Sequence, residues 1–279
     1  MQIREMSKKD IDFALSLTSA EGWSSTRRDF EDLLEFDHQA CFIAEIDGES
    51  IGMVTTVPYD GFGYIGNLIV VEQHRKKRLG TELMEFALKY LEDRGVMTQI
   101  LDGVQDAIRL YERVGFRKVC KSLRLEGIVK PKESEDVRYM TQRDLVLIDQ
   151  LDTQYFGACR KRFLQSLLTH YPRLCRVLDI DGEMHGFIMG SERRDSIRIG
   201  PWVMIHRSNR AEDLLASFAT ETSNQVLKIG VLESNSMAIQ LLKRHDFINT
   251  SYSWRMLRGP DGDWTFSNHL YAICSPARG

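Results

Sequence analysis

Leu68-Ile69-Val70-Val71-Glu72-Gln73-His74-Arg75-Lys76-Lys77-Arg78-Leu79-Gly80-Thr81-Glu82-Leu83-Met84 is the stretch that decides the fold. It reads as an apolar strand, a basic turn containing glycine, and the opening of a helix. N–H groups in a helix's first turn lack intrahelical acceptors, and the helix dipole adds positive potential there, so such a turn is an anion site. Arg75, Lys76, Lys77 and Arg78 add four consecutive cations, which favours phosphate. On charge alone the same turn also reads as a solvated basic loop capping a helix.

The surrounding pattern alternates short strands and helices. Ser7-Lys8-Lys9-Asp10 predicts a capping box opening a helix through about Ala20, and Thr26 caps a second helix with Phe30, Leu33 and Leu34 on one face. Cys41 to Ile46, then Asp47-Gly48, then Ile51 to Val57 predict a hairpin. Tyr64 to Val71 is a strand. Leu79 to Asp93 is an amphipathic helix with Leu83, Phe86, Ala87 and Tyr90 at helical spacing. Met97 to Leu101 is a strand, Asp106 to Val114 a short helix ended by Gly115, and Arg117 to Leu125 a closing strand.

The plan occurs twice. Ile3-Arg4-Glu5-Met6-Ser7-Lys8-Lys9-Asp10-Ile11 returns as Val137-Arg138-Tyr139-Met140-Thr141-Gln142-Arg143-Asp144-Leu145, an offset of 137 − 3 = 134. Asp47-Gly48 matches Asp181-Gly182, and Ile65-Gly66 matches Ile199-Gly200; later the offset slips to 132 and 131. A repeat of this length predicts two copies of one domain. The division is 1–126, a linker over 127–136 rich in charge, Gly and Pro, and 137–279. A turn at Gly259-Pro260-Asp261-Gly262 precedes Trp264, Phe266, Leu270, Tyr271 and Ile273, which add a strand or brace to the second copy.

Composition narrows the function. The net charge of −3 gives no basic field for nucleic acid or an anionic membrane. No apolar run approaches the roughly 20 residues needed to span a bilayer, and MQIREMSKKD lacks a signal-peptide core. Five scattered cysteines without metal-ligand spacing read as reduced thiols in a cytoplasmic protein, with no metal site.

Here the sequence resembles the Gcn5-related N-acetyltransferase (GNAT) family. That family's signature is Arg or Gln, two residues, Gly, one residue, then Gly or Ala; Arg75-Lys76-Lys77-Arg78-Leu79-Gly80 stands in its place. A second motif follows at Ala107-Ile108-Arg109-Leu110-Tyr111-Glu112-Arg113-Val114-Gly115-Phe116. The resemblance covers the first copy and more faintly the second, as in two-domain members with a diverged C-terminal half. It implies tandem acyl-CoA N-acyltransferase folds of the α/β (α+β) class, each a mixed, mostly antiparallel sheet flanked by helices. It also implies acetyl-CoA as co-substrate and a small-molecule or protein amine as acceptor. One departure is Arg78 where the signature has its first glycine, so arginine must take a turn suited to positive φ or a different one.

The resemblance further assigns roles. Leu68, Ile69 and Val70 would bind the pantetheine arm between splayed strands; Arg75, Lys76, Lys77, Arg78, Leu79, Gly80, Thr81 and Ala107 would bind the rest of the cofactor. Tyr111 would be the general acid protonating the leaving thiolate; its alternative is packing of the short helix on the sheet. Glu21, Glu72 and Asp102 are base candidates, and Trp23 and Asn67 candidate acceptor-site residues. In the second copy Gly80 meets Glu212, Lys76-Lys77 meet Ser208-Asn209, Tyr111 meets Leu242 and Gly115 meets Asp246. A carboxylate would then face the phosphates, and the expectation is a copy that keeps the fold without the cofactor. Asn235 retains an asparagine common in the family. Trp202, Tyr252, Trp254 and Trp264 are core residues or walls of an acceptor pocket. The competing functions are a non-catalytic acyl-CoA sensor and an acyltransferase with another donor or acceptor.

Overall fold

The computed structural model describes residues 1–205, 210–260 and 267–279. Ser208, Asn209, Asp261, Gly262, Trp264 and Phe266, singled out in the sequence, lie outside the described residues.

The chain forms two compact units. The first contains Met1–Val119 with Trp254–Asp261 and Arg278; the second contains Cys120–Ser253 with Gly262–Ala277 and Gly279. In chain order the first 119 residues supply β1 (Gln2–Glu5), α1 (Ile11–Ala20), α2 (Arg27–Phe36), β2 (Cys41–Ile46), β3 (Glu49–Pro58), β4 (Gly63–Val70), α3 (Leu79–Asp93), β5 (Gln99–Gly103) and α4 (Ile108–Arg113). Next come β6 (Arg117–Gly127), β7 (Val137–Tyr139), α5 (Leu145–Phe156), α6 (Lys161–His170), β8 (Cys175–Ile180), β9 (Glu183–Glu192) and β10 (Ile197–Met204). The rest are α7 (Ala211–Phe218), β11 (Leu227–Leu232), α8 (Ser236–Arg244), β12 (Ile248–Arg258) and β13 (Leu270–Ala272).

In the first unit the sheet runs β1-β2-β3-β4-β5-β12. Only β4 and β5 pair in parallel; the other neighbours are antiparallel. The β2–β3 hairpin turns through Asp47 at φ 52 and Gly48 at φ 83, the pair of positive values that matches strand twist. Leu83, Met84, Ala87 and Leu91 of α3 pack on Val54, Ile65 and Leu101 of the sheet. Ile11 and Ala14 of α1 and Phe30 and Leu33 of α2 are buried as well.

The second unit repeats this as β6-β11-β10-β9-β8-β7, with β13 also on β10. Leu214, Leu215 and Phe218 of α7 pack with Ile188, Ile199 and Ile229. The mixed, mostly antiparallel sheet flanked by helices is thus present in both units.

The repeated opening segment has a physical reason. Arg4 forks Asp10 with hydrogen bonds of 2.7 and 2.9 Å and donates through Nε to Glu45 at 2.8 Å. Arg138 does the same with Asp144 at 2.8 and 2.9 Å and with Asp179 at 2.9 Å. Asp10 in turn accepts from the Ser7 N–H, and Asp144 from the Thr141 N–H, at 2.8 and 2.7 Å. Each arginine therefore ties a strand, a helix start and the neighbouring strand together with charge-assisted bonds.

The closing strands are distributed differently from the simple sequence reading. β6 forms where expected, but its residues Ser122 to Gly127 pair with Leu232 to Leu227 of β11, within the second unit. The first unit's β5 instead pairs with Trp254 to Arg258 of β12. The two strands carry one pattern: Arg124 lies opposite Gly230 and Arg255 opposite Asp102. The stretch after β6 is anchored, since Val129 is buried and the Lys132 N–H donates to the Ala216 carbonyl at 3.1 Å.

Candidate active site

The site begins with a defect in β4. Met53 of β3 sits opposite Ile69, but Thr55 sits opposite Gly66, so β4 holds one residue more than its partner. This is a β-bulge, which bends a strand and re-aims its side chains. Asn67 occupies it at φ 50, and its Nδ2 donates to Thr55 Oγ1 at 3.1 Å. Bent there, β4 keeps β5 for three pairs only: Gly63 with Gln99, Tyr64 with Ile100 and Ile65 with Leu101. From Gly66 onward the two strands part, and Leu68, Ile69 and Val70 lie on the departing arm.

That arm leads into the basic turn. Lys76 and Arg78 take left-handed backbones, at φ 62 and 66. Arg78 caps α3 through its carbonyl, which accepts from the N–H groups of Thr81 and Glu82 at 2.9 and 3.1 Å. Among the described residues the N–H groups of Leu79 and Gly80 have no acceptor, and Lys76, Lys77 and Arg78 are exposed. Arginine thus takes the left-handed turn that the signature's glycine would suit. Arg75 faces the other way: its Nε donates to the Val70 carbonyl at 2.8 Å and its guanidinium pairs with Glu21.

Across the gap lies α4. A Cβ on Gly103 would fall 2.8 Å from the Tyr111 ring, so the glycine at the end of β5 makes room for that ring. Tyr111 also meets Phe116 edge to face at 6.2 Å. Burial pushes its phenol up to about 12, and among the described residues its hydroxyl has no hydrogen-bond partner. Leu110, one residue earlier, reaches to within 3.4 Å of where a Gly80 Cβ would sit, so α4 abuts the first turn of α3. Ala107 is half-buried at the start of α4, its N–H donating to the Val104 carbonyl at 3.1 Å.

The three carboxylates differ in surroundings. Glu21 is part-exposed and paired with Arg75. Glu72 is exposed, in a single turn of 3-10 helix after β4. The Asp102 side chain is fully buried and accepts from Arg255 Nε at 2.7 Å. Trp23 is half-buried, and its N–H closes the turn after α1 on the Thr18 carbonyl at 2.9 Å. Sequence reasoning missed Arg255, because nothing in the pattern showed which copy's β5 would receive β12.

The second unit has been altered at the corresponding places. Its β10 and β11 also pair for three positions, Ile197 with Leu227, Arg198 with Lys228 and Ile199 with Ile229. Arg210, before α7, has φ −75 and lacks the left-handed cap. Glu212 lies 3.2 Å from His245 and 3.7 Å from Arg244, so this carboxylate has a cationic neighbour of its own in Arg244. Leu242, in place of Tyr111, is in the core. Asn235 caps α8, accepting from the Ala238 N–H at 3.0 Å. Trp202 is fully buried beside Tyr271, while Tyr252 is exposed; Trp254 packs on the first unit's core.

Residues 11–116 match the acetyltransferase (GNAT) family, and 148–272 match an acetyltransferase (GNAT) domain. The chain belongs to the GNAT family. A structure described as a putative acetyltransferase from Pyrococcus horikoshii is similar over 100% of this chain and 95% of its own, with a TM-score of 0.85 and 25% identity. A probable N-acetyltransferase, camello, from Xenopus laevis is 32% identical over 38% of this chain and 61% of its own length. An N-alpha-acetyltransferase from Sulfurisphaera tokodaii is 29% identical over 32% of this chain and 62% of its own. The chain therefore spans about three-fifths of the length of these two curated relatives. Among the described residues no helix is long and apolar enough to cross a membrane.

Proposed function

We propose that the first unit is an N-acetyltransferase site using acetyl-CoA as donor and an amine as acceptor. The observation that carries this reading is the continuity of the gap between β4 and β5 with the open N–H groups at the start of α3. An extended pantetheine arm has amides that suit an unpaired strand edge, and a pyrophosphate suits a helix start flanked by cations. Arg78, Lys76 and Lys77 then meet the phosphates, while Arg75 holds the turn to the end of β4. Family membership and the relatives named as N-acetyltransferases support the same chemistry.

In this reading the amine attacks the thioester directly. A backbone N–H on the β4 arm polarises the carbonyl as negative charge develops on its oxygen. Tyr111 donates its proton to the departing thiolate, whose conjugate thiol has a pKa near 8.5. The amine's proton passes to a carboxylate through water. Glu21 suits this better than Asp102, because an exposed ion pair is weak whereas a buried one is costly to break. Glu72 has no ion-pair partner among the described residues but follows the end of β4, several residues beyond Leu68. Trp23 and Asn67 border the acceptor side.

The test is an amine panel of peptides with free N-termini, lysine side chains and small polyamines. Free coenzyme A thiol is measured together with the mass of the acceptor. Thiol release matched by gain of one acetyl group on an amine supports the reading. Cofactor binding without transfer to any amine contradicts it.

A further inference from the structure

The second unit's gap is occupied by its own chain. Beyond Ile199 and Ile229 the strands β10 and β11 part, as β4 and β5 do, and β13 enters between them. Trp202 and Val203 of β10 pair with Ala272 and Leu270 of β13. On the other side the Ile273 N–H donates to the Gly230 carbonyl of β11 at 3.0 Å. A three-residue strand is about 10 Å long and takes one strand's width between β10 and β11, the space an extended pantetheine arm would have to enter.

The fit is close on both sides. A Cβ on Gly200 would lie 2.0 Å from the Ile273 carbonyl oxygen, and one on Gly230 would lie 2.7 Å from Ile273 Cγ1. By sheet register Gly230 corresponds to Asp102, since 227 − 99 = 128 and 230 − 128 = 102. Where the first unit has a carboxylate held by Arg255, the second has a glycine that admits the intruding strand. Asn235 completes the arrangement by donating to the carbonyls of Asn268 and Leu270, both at 2.9 Å. Ile273 packs with Leu232 and Cys120.

We infer that β13 permanently fills the donor slot of the second unit, so that the chain takes one acyl-CoA, in the first unit, and Glu212 is not what excludes the second. This rests on the donor reading of the first unit. The bar is steric and made by backbone pairing, so removing the Glu212 charge does not lift it.

Titration of the full chain with acetyl-CoA, with stoichiometry read by calorimetry and by native mass spectrometry, tests this on three proteins. The wild type is expected to bind one donor per chain. Glu212→Gly is expected to bind one donor with unchanged affinity. Gly80→Glu, which places the second unit's carboxylate in the first, is expected to weaken binding at least about tenfold. The space beside Gly80 accommodates a Cβ at 3.4 Å from Leu110, so this variant is expected to fold, checked by its melting temperature. Two donors on the wild type or a second donor on Glu212→Gly would each overturn the inference, whereas unchanged affinity in Gly80→Glu would contradict the donor reading of the first unit. No donor on the wild type would instead contradict the donor reading of the first unit.

Discussion

Tyr111 combines two properties: its ring is packed against Gly103 and Phe116, and its phenol is pushed up to about 12 by burial. The protonated form is the donor, and it is lost only as pH rises through about 12. Its activity limb therefore lies above the range where proteins are assayed, and any loss of rate below about pH 9 comes from the acceptor side. Tyr111→Phe is expected to lower kcat about tenfold or more while leaving the Kd for acetyl-CoA within about twofold; an unchanged kcat removes Tyr111 from catalysis. Arg78 shows a different compromise. A left-handed backbone costs a non-glycine residue about 1–2 kcal/mol, partly offset by glycine's greater freedom when unfolded. Arg78→Gly should therefore raise stability by about 0.5–1 kcal/mol in thermal denaturation and weaken donor binding through loss of one cation. A lower melting temperature would show that the arginine side chain outweighs the strain.

Elements carry the next set of consequences. The forks of Arg4 on Asp10 and Arg138 on Asp144 hold both carboxyls below their usual range, with Asp10 at about 2. A carboxyl depressed on folding stabilises above its unfolded pKa near 3.9, and that contribution disappears as pH falls toward 2. For Asp10 it amounts to about 2 kcal/mol. Melting temperature should thus fall between about pH 4 and pH 2, and Arg4→Met should flatten that slope. The pairing of β5 with β12 buries Asp102 against Arg255, so Asp102→Ala should cost about 3–5 kcal/mol by leaving an uncompensated cation, measured in urea. A cost below about 1 kcal/mol would mean that the pair is dispensable and would return Asp102 to candidacy as the base. At this scale the sequence is most readable where local rules govern: the caps at Ser7 and Thr26, the Asp47-Gly48 hairpin, and the apolar faces of α2 and α3. It is least readable where the partner is distant. β6 and β12 carry the same alternation and matching arginines, so either could fit either β5 or β11, and period-2 patterning holds no information on which. The Arg75–Glu21 pair, 54 residues apart, is hidden for the same reason.

For the molecule as a whole, the repeat explains two units of one fold, and their differences favour the first as the place of the proposed chemistry. Sequence alone shows the loss of Tyr111 and Gly80 in the second copy and points to charge as what closes its site. In the structure Glu212 has His245 and Arg244 nearby, and the gap is filled by backbone from β13. That device could not be seen in the repeat, because β13 has no counterpart in the first copy. In the proposed function the donor lies along the parted arm of β4 and the start of α3 in the first unit. Amide hydrogen exchange with and without acetyl-CoA tests it directly. Exchange is expected to slow at Leu68 to Val71 and at Arg78 to Thr81, with no change over Ile197 to Met204 or Ala211 to Leu215. Slowing confined to the second unit, or none in either, would contradict it.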